Sequence, residues 1–297
     1  MRIGVVFPQT EIGGDAGAVR AYATAVEQLG FAHVLAYDHV VGADRDVHRD
    51  WSGPYDRFAT FHEPLVLFGY LAALTRLELV TGILILPQRQ TALVAKQAAE
   101  VDLLTGGRFR LGVGLGWNAV EYGALGKTFS DRGRRIESQL TLLRRLWTEP
   151  SVSFAADGED VVGAGLAPLP VQRPIPVWFG AASPPAFRRV GRLADGWFPL
   201  LAPGPKLDEA RAVVAAAATA AGRDPQTLGL EGRVNFGPGG TDRLLDHVGR
   251  WRGVGATHLT VNTMGAGLGP VDGHLRVLAE LSGALGLDGG GVGEPPG

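Results

Sequence analysis

The chain has 297 residues, of which 45% are hydrophobic and 20% are charged, and its formal net charge is −2. This composition is typical of a globular protein with a large core. The charge balance excludes a basic surface of the kind that binds nucleic acid or an anionic membrane. Cysteine is absent, which excludes disulfides, thiolate catalysis and cysteine-ligated metals.

Both ends of the chain indicate how it is organised. The N-terminal stretch MRIGVVFPQT has too short an apolar part for a signal peptide, and every apolar run is interrupted before the roughly 18 residues of a membrane span. We therefore expect a soluble cytoplasmic protein with no membrane partner. Residues 284–297 are rich in Gly and Pro, so we expect a disordered tail after a single domain over residues 1–283.

Short apolar strands alternate with longer helices along the chain. The predicted strands cover residues 3–7, 33–37, 77–86, 108–116, 175–181, 195–200, 228–236 and 258–262. The predicted helices cover residues 16–30, 64–75, 91–107, 131–147, 184–194, 206–222, 241–253 and 270–282. The alternation breaks only at 148–174, which is rich in Pro, Gly and small residues and is interpreted as an inserted loop or hairpin.

Eight strand–helix units predict an α/β fold, a closed (β/α)8 TIM barrel with the inserted segment at 148–174. A doubly wound open sheet is the alternative. It more usually has about five to seven strands and a phosphate fingerprint after the first one. Here the first strand is followed by PQTEIGGDAG, which lacks G-x-G-x-x-G, so the barrel is favoured.

Barrel enzymes place their chemistry at the C-terminal ends of the strands, which draws attention to Asp38 and His39 after the second strand. Histidine is the side chain most easily poised for proton transfer near neutral pH. An adjacent aspartate could orient it or bind a ring nitrogen of a cofactor. The alternative is that Asp38 caps a turn and His39 is simply half-buried.

Two glycine-rich stretches follow other predicted strands. GVGLG at 112–116 lacks the lysine of a Walker A loop, so its glycines admit a flat ligand or form a tight barrel corner. In GAASPP at 180–185, Ser183 suits an N-cap and Pro184 the first helical position. The free N–H groups there could hold a phosphate, or the motif could serve capping alone.

Aromatic residues recur near the predicted upper rim, which suits a pocket for a large planar ligand, although some of them fill the core. They are Phe7, Trp117, Trp178, Phe179, Trp197 and Phe198. The seven histidines show neither H-x-x-x-H nor H-E-x-x-H spacing, and G-x-S-x-G is absent. We therefore predict neither a metal site nor a hydrolase triad.

Several stretches together resemble the bacterial luciferase-like flavin and deazaflavin oxidoreductases, and among them the F420-dependent branch. They include LGF..V...DHV around residues 29–40, TGILILPQRQTALVAKQAAEVDLLTGGRFRLGVGLGWNAVEYGALG at 81–126 and PVQRPIPVWFGAAS at 170–183. The resemblance covers roughly residues 1 to 280. It implies a TIM barrel with an inserted segment and a cofactor laid across the barrel mouth.

The resemblance also implies site residues. Residues after the second strand face the deazaflavin ring, a non-prolyl cis peptide at Gly82-Ile83 backs it, and Gly180 to Ser183 hold the ribityl-phosphate end. The predicted cofactor-binding residues are Asp38, His39, Thr81, Gly82, Ile83, Gly114, Asn118, Gly180, Ala181, Ala182 and Ser183.

The implied reaction is hydride transfer between C5 of coenzyme F420 and a small organic substrate. His39 is the predicted proton donor or acceptor, and Asp38 positions it or the cofactor. Phe7, Trp117 and Trp197 are predicted on the substrate side. Trp117 stands where the sugar-phosphate dehydrogenases of this family have an acidic glutamate, which argues against a glucose-6-phosphate dehydrogenase.

Two alternatives stay open. The first is an FMN-dependent two-component monooxygenase that uses O2 and reduced flavin from a separate reductase. The second is a cofactor-binding barrel without turnover. Because the family often dimerises, we also expect a homodimer.

Overall fold

Strands and helices alternate through the computed structural model, which describes residues 1–287. The strands are β1 (Arg2–Val6), β2 (His33–Ala36), β3 (Glu78–Thr81), β4 (Leu84–Ile85), β5 (Phe109–Gly114), β6 (Val152–Ala156), β7 (Glu159–Ala164), β8 (Val177–Ala181), β9 (Gly196–Pro199), β10 (Gly229–Asn235) and β11 (His258–Asn262). The helices are α1 (Gln9–Ile12), α2 (Ala16–Gln28), α3 (Pro64–Ala72), α4 (Thr91–Thr105), α5 (Ala119–Ala124), α6 (Arg132–Thr148), α7 (Pro184–Leu193), α8 (Pro205–Ala220), α9 (Gly240–Gly253) and α10 (Val271–Leu285).

Parallel pairing closes the sheet into a ring. The order is β3-β2-β1-β11-β10-β9-β8-β5, and β5 returns to β3 through Leu79 opposite Phe109. The short β4 continues the course of β3 and pairs with β5 at Leu84 opposite Val113. β3 and β4 thus make one barrel position, and the predicted eight-stranded TIM barrel is confirmed.

The inserted segment is a hairpin outside the barrel. β6 and β7 pair antiparallel around a turn in which Asp157 and Gly158 have φ of 50° and 86°. Thr91 Oγ1 donates to Glu159 at 2.7 Å, and Arg134 pairs with Asp157 at 2.7 Å. These contacts attach the hairpin to α4 and α6, as expected for an insertion rather than a domain linker.

The last helix extends further than the predicted domain end at 283. α10 ends at Leu285, and Gly286 follows in the left-handed conformation with φ of 65°. Leu287 N–H then donates to Ser282 O at 3.0 Å. Residues 288–297, the rest of the predicted tail, lie outside the described residues. Within residues 1–287, none of the helices combines the length and apolarity of a membrane span.

Strand side chains alternate between the helices outside and the barrel interior. The outward residues build the large core with the helices, where Phe7 and Trp197 are buried. The interior has a smaller apolar cluster of Val6, Leu35 and Val80. This alternation decides which residues after a strand can reach a ligand at the barrel mouth.

A charged layer lies below that interior cluster. Arg110 donates to Glu231 at 2.5 Å, and His33 Nε2 lies 2.9 Å from the other oxygen of Glu231. The guanidinium of Arg110 also stacks 4.2 Å from the ring centroid of Trp178. Burial alone would raise the pKa of Glu231, but Arg110 and His33 outweigh it and hold that pKa well below its usual range. The buried carboxylate of Glu231 therefore stays charged because Arg110 and His33 lie beside it.

His258 at the edge of this layer should make stability depend on pH. Burial and the cation of Arg110 lower the pKa of His258 to about 4. A histidine in an unfolded chain has a pKa of about 6.5. Between pH 6.5 and about 4 the unfolded chain therefore binds a proton at this position that the folded chain does not bind. The free energy of unfolding falls as the pH decreases through this range. We expect His258→Gln to flatten the loss of unfolding free energy from pH 7 to 4.5, measured by urea denaturation. The exposed His48→Gln is the control, and equal pH slopes for H258Q and wild type would contradict the prediction.

Candidate functional site

A cavity of about 470 Å³ opens at the C-terminal ends of the barrel strands. Its volume lies within the range of small-molecule sites. The predicted rim aromatics Phe179 and Phe198 line it. Nine of the predicted catalytic, cofactor-binding and substrate residues line it as well: Asp38, His39, Gly82, Ile83, Trp117, Asn118, Gly180, Ala182 and Ser183. At its lower end the cavity reaches Glu231 and Thr260, so it extends into the barrel.

The cavity lining does not include Phe7, Thr81, Gly114, Ala181 and Trp197. Strand alternation explains four of these positions, because Val6, Val80, Gly180 and Phe198 are their inward neighbours. Phe7 instead packs edge-on against Tyr22 at 5.4 Å, and Trp197 packs against Phe187 at 5.8 Å. The expectation that Phe7 and Trp197 lie on the substrate side is thus not met by the geometry.

Ile83 forms part of the cavity wall. Its peptide bond to Gly82 is cis, which confirms the prediction for this bond. A Cβ at Gly114 would collide with Cδ1 of Ile83, and a Cβ at Gly180 would come within 3.2 Å of its Cγ2. Gly114 therefore shapes the cavity indirectly, because its lack of a side chain leaves room for the side chain of Ile83.

Asp38 closes a gap in the barrel rim. One carboxylate oxygen accepts the N–H of Ile85 at 2.9 Å, and the other accepts from Arg89 at 2.6 Å. Arg89 also donates to Glu63 at 2.9 Å. Asp38 thus joins the end of β2 to β4 and to the start of α3, and it does not hold the ring of His39.

Glu121 is the carboxylate beside His39. Nδ1 of His39 lies 3.8 Å from Oε1 of Glu121. Three aromatic rings surround the imidazole, with centroids at 4.6 Å for Phe61, 5.2 Å for Tyr55 and 5.6 Å for Trp117. The side chain of His39 is 14% exposed. The second ring nitrogen, Nε2, is therefore the one left for a ligand of the cavity.

Glu121 is fixed by several donors. The N–H groups of Val40 and Val41 donate to Oε1 at 2.5 and 3.2 Å, and Gln88 donates to Oε2 at 3.0 Å. Burial would raise the pKa of Glu121, but these donors together with His39 keep it below its usual range. Glu121 is therefore a buried carboxylate that stays charged near neutral pH.

Sequence reasoning missed Glu121. It lies three residues after Asn118, whose side chain accepts its N–H at 3.1 Å as the N-cap of α5. The spacing N-A-V-E matches a capping box, so the local pattern marks Glu121 as a helix-capping residue. Its reach to Val40 and His39, about 80 positions earlier in the chain, has no local signal.

Two arginines line the cavity where α7 approaches the start of α6. Arg189 pairs with Glu137 at 3.0 Å and donates to Gly133 O at 2.9 Å. Arg132 stacks 3.6 Å from the centroid of Phe129 and donates to its carbonyl at 2.7 Å. The buried Nε of Arg132 has no hydrogen-bond partner among the described residues. With Ser183, this corner of the cavity favours an anionic group.

Comparison with known proteins agrees with this architecture. The family described as luciferase-like monooxygenase matches residues 1–239. An uncharacterized protein of Mycobacterium tuberculosis is 32% identical over 253 residues, which cover 80% of this chain and 84% of that protein. Among solved structures, the monooxygenase RslO1 from Streptomyces bottropensis superposes with a TM-score of 0.80 at 19% identity, over 96% of this chain and 98% of the other. An F420-dependent secondary alcohol dehydrogenase superposes with a TM-score of 0.78 at 17% identity, over 94% of this chain and 97% of the other.

Relatives named for their activity differ in cofactor. An F420-dependent glucose-6-phosphate dehydrogenase of Intrasporangium calvum is 34% identical over 180 residues, which are 58% of this chain and 50% of that enzyme. An FMNH2-dependent dimethylsulfone monooxygenase of Pseudomonas putida is 34% identical over 141 residues, 46% of this chain and 39% of that enzyme. Both are oxidoreductases, one with a deazaflavin and one with a flavin. The match over residues 1–239 shows that the chain belongs to the luciferase-like monooxygenase family.

Proposed function

We propose that the protein is an F420-dependent oxidoreductase that transfers a hydride between the deazaflavin and a small organic substrate. The observation that carries this proposal is His39 on the cavity wall, with Nδ1 beside the charged Glu121 and Nε2 left for a ligand. Hydride transfer to a carbonyl carbon requires a proton for the neighbouring oxygen, and hydride removal from an alcohol carbon releases one. An imidazole held in this way can give or take that proton.

The residues present fit a flat cofactor with an anionic end. Gly180 leaves the wall beside Ile83 open, in a place that a Cβ would fill. Arg132, with its unpartnered Nε, and the N-terminal turn at Ser183 would hold the anionic end. When bound, F420 supplies hydride chemistry at C5 of its ring.

The remaining work falls to the protein. Glu121 would orient the ring of His39 from the side of Nδ1, so that Nε2 carries the transferable proton. Tyr55, Phe61 and Trp117 cover the imidazole and limit access of water to it. The lower dielectric around His39 strengthens its interaction with Glu121.

Titration with the two candidate cofactors tests the proposal. We expect F420 to bind at micromolar concentration or below and FMN to bind at least about tenfold more weakly, followed by absorption and fluorescence. Arg132→Met should weaken F420 binding by about tenfold, the worth of one charge-assisted hydrogen bond. The exposed Arg252→Met is the matched control. Tight FMN binding without F420 binding would instead support a two-component monooxygenase.

A further inference from the structure

Arg233 lines the cavity as a cation without an anionic partner among the described residues. It lies on β10 two residues after Glu231, so both side chains belong to the inward face of that strand. Its Nη1 donates to the hydroxyl of Tyr37 at 3.1 Å. Within residues 1–287 no carboxylate forms an ion pair with Arg233. By contrast, Arg189, which also lines the cavity, pairs with Glu137 at 3.0 Å.

Tyr37 completes a site for an anion. Its hydroxyl accepts from Arg233, so its own proton is free for a ligand. Burial raises the pKa of Tyr37 despite the nearby cation, which keeps the phenol protonated at neutral pH. An anion placed here would receive hydrogen bonds from a guanidinium and from a neutral hydroxyl.

Apolar side chains of the cavity wall lead from this pair toward His39. Tyr55 lies close enough to Arg233 for the cation to lower its pKa, while burial, the larger effect, raises it. The same Tyr55 ring is 5.2 Å from the imidazole of His39. Leu35 and Phe198 line the neighbouring wall. A ligand that reaches from Arg233 to His39 therefore meets aromatic and aliphatic surface along its length.

We propose that the substrate is a small, largely apolar carboxylic acid whose carboxylate is bound by Arg233 and Tyr37, while its reacting carbon lies toward His39. This inference rests on the proposed function. One guanidinium and one hydroxyl match a single negative charge, whereas a phosphate dianion would leave charge uncompensated. The anionic end of the cofactor has its own cation in Arg132, which lies at the start of α6 and not on β10.

Binding of acid and alcohol probes of the same shape tests this assignment. Benzoate and benzyl alcohol, and 3-phenylpropionate and 3-phenylpropanol, are titrated into the protein with oxidised F420 present, using calorimetry. In at least one pair we expect the acid to bind about tenfold or more tightly than the alcohol. Arg233→Met and Tyr37→Phe should reduce or abolish this preference, Arg233→Lys should retain part of it, and the exposed Arg252→Met should retain all of it.

Cofactor affinity separates the outcomes. We expect R233M to bind F420 within about twofold of wild type. The inference is overturned if wild type prefers neither acid, if R233M keeps the preference for the acid, or if R233M loses F420 affinity about tenfold, which would place Arg233 in the cofactor site. If the protein binds FMN and not F420 but shows an Arg233-dependent acid preference without cofactor, the proposed function fails and the carboxylate site stands.

Discussion

Replacing His39 with glutamine is expected to lower the hydride-transfer rate by about 10²- to 10⁴-fold, the usual contribution of a general acid or base. Glutamine fills much of the volume that the imidazole occupies between Phe61, Tyr55 and Trp117. Its amide, unlike an imidazole, neither accepts nor releases a proton near neutral pH. The cofactor affinity should stay within a few fold, because Ile83, Gly180 and Ser183 form the rest of the wall.

Single-turnover reoxidation of reduced F420 provides the measurement, with an acceptor chosen by screening aldehydes, ketones and enones. His62→Gln is the matched control. Nε2 of His62 lies 3.0 Å from Gly13 O, and its ring packs against Phe7 outside the cavity lining. H62Q should keep the wild-type rate. An H39Q variant that binds F420 and reacts as fast as wild type would remove His39 from the mechanism.

The largest effect on stability is expected from Arg110→Met, at about 3–5 kcal/mol of unfolding free energy. The change removes the cation from Glu231, whose side chain is 1% exposed. The carboxylate would then keep only His33 and Thr260 as partners. A buried charge that loses its counterion costs far more than an exposed pair contributes, because water cannot replace the lost interaction.

Arg2→Met is the control, because Arg2 pairs with Glu78 at 3.3 Å, as Arg110 does, but its own side chain is 54% exposed. An exposed pair is worth about 0–1 kcal/mol. Urea unfolding of both variants gives the comparison. In the double variant R110M/E231Q the buried charge is gone, so part of the lost stability should return. A loss below 1 kcal/mol for R110M would show that the layer does not depend on this cation.

The barrel follows from local signals in the sequence. Apolar runs of strand length alternate with helical periodicity, and the break at 148–174 coincides with the hairpin of β6 and β7. α6 illustrates why such signals suffice: Ile136, Leu140 and Trp147 recur at helical spacing and are fully buried in the structure.

Local sequence signals predict less well which way a side chain points at the end of a strand. Phe7 directly follows β1 and Trp197 lies within β9. Successive residues of a strand face the interior and the helices in turn, so a shift of one position moves a side chain to the other side. Glu121 and Arg233 illustrate a second limit. Glu121 contacts Val40 and His39, and Arg233 contacts Tyr37. These partners are remote in the sequence and come together only when the sheet closes into a barrel.

Because the strand is interrupted between β3 and β4, Asp38 both completes the hydrogen bonding of the barrel and lines the cavity. The last backbone hydrogen bond on the side of β2 that pairs with β3 runs from Gly82 N–H to Ala36 O at 2.8 Å. Beyond it, Ile85 donates to the carboxylate of Asp38 where a main-chain carbonyl would otherwise accept. The same carboxylate lines the cavity. A substitution at Asp38 that changes the cavity would therefore also remove this hydrogen bond between the end of β2 and β4, whereas Arg233 donates to Tyr37 and takes no part in that bond.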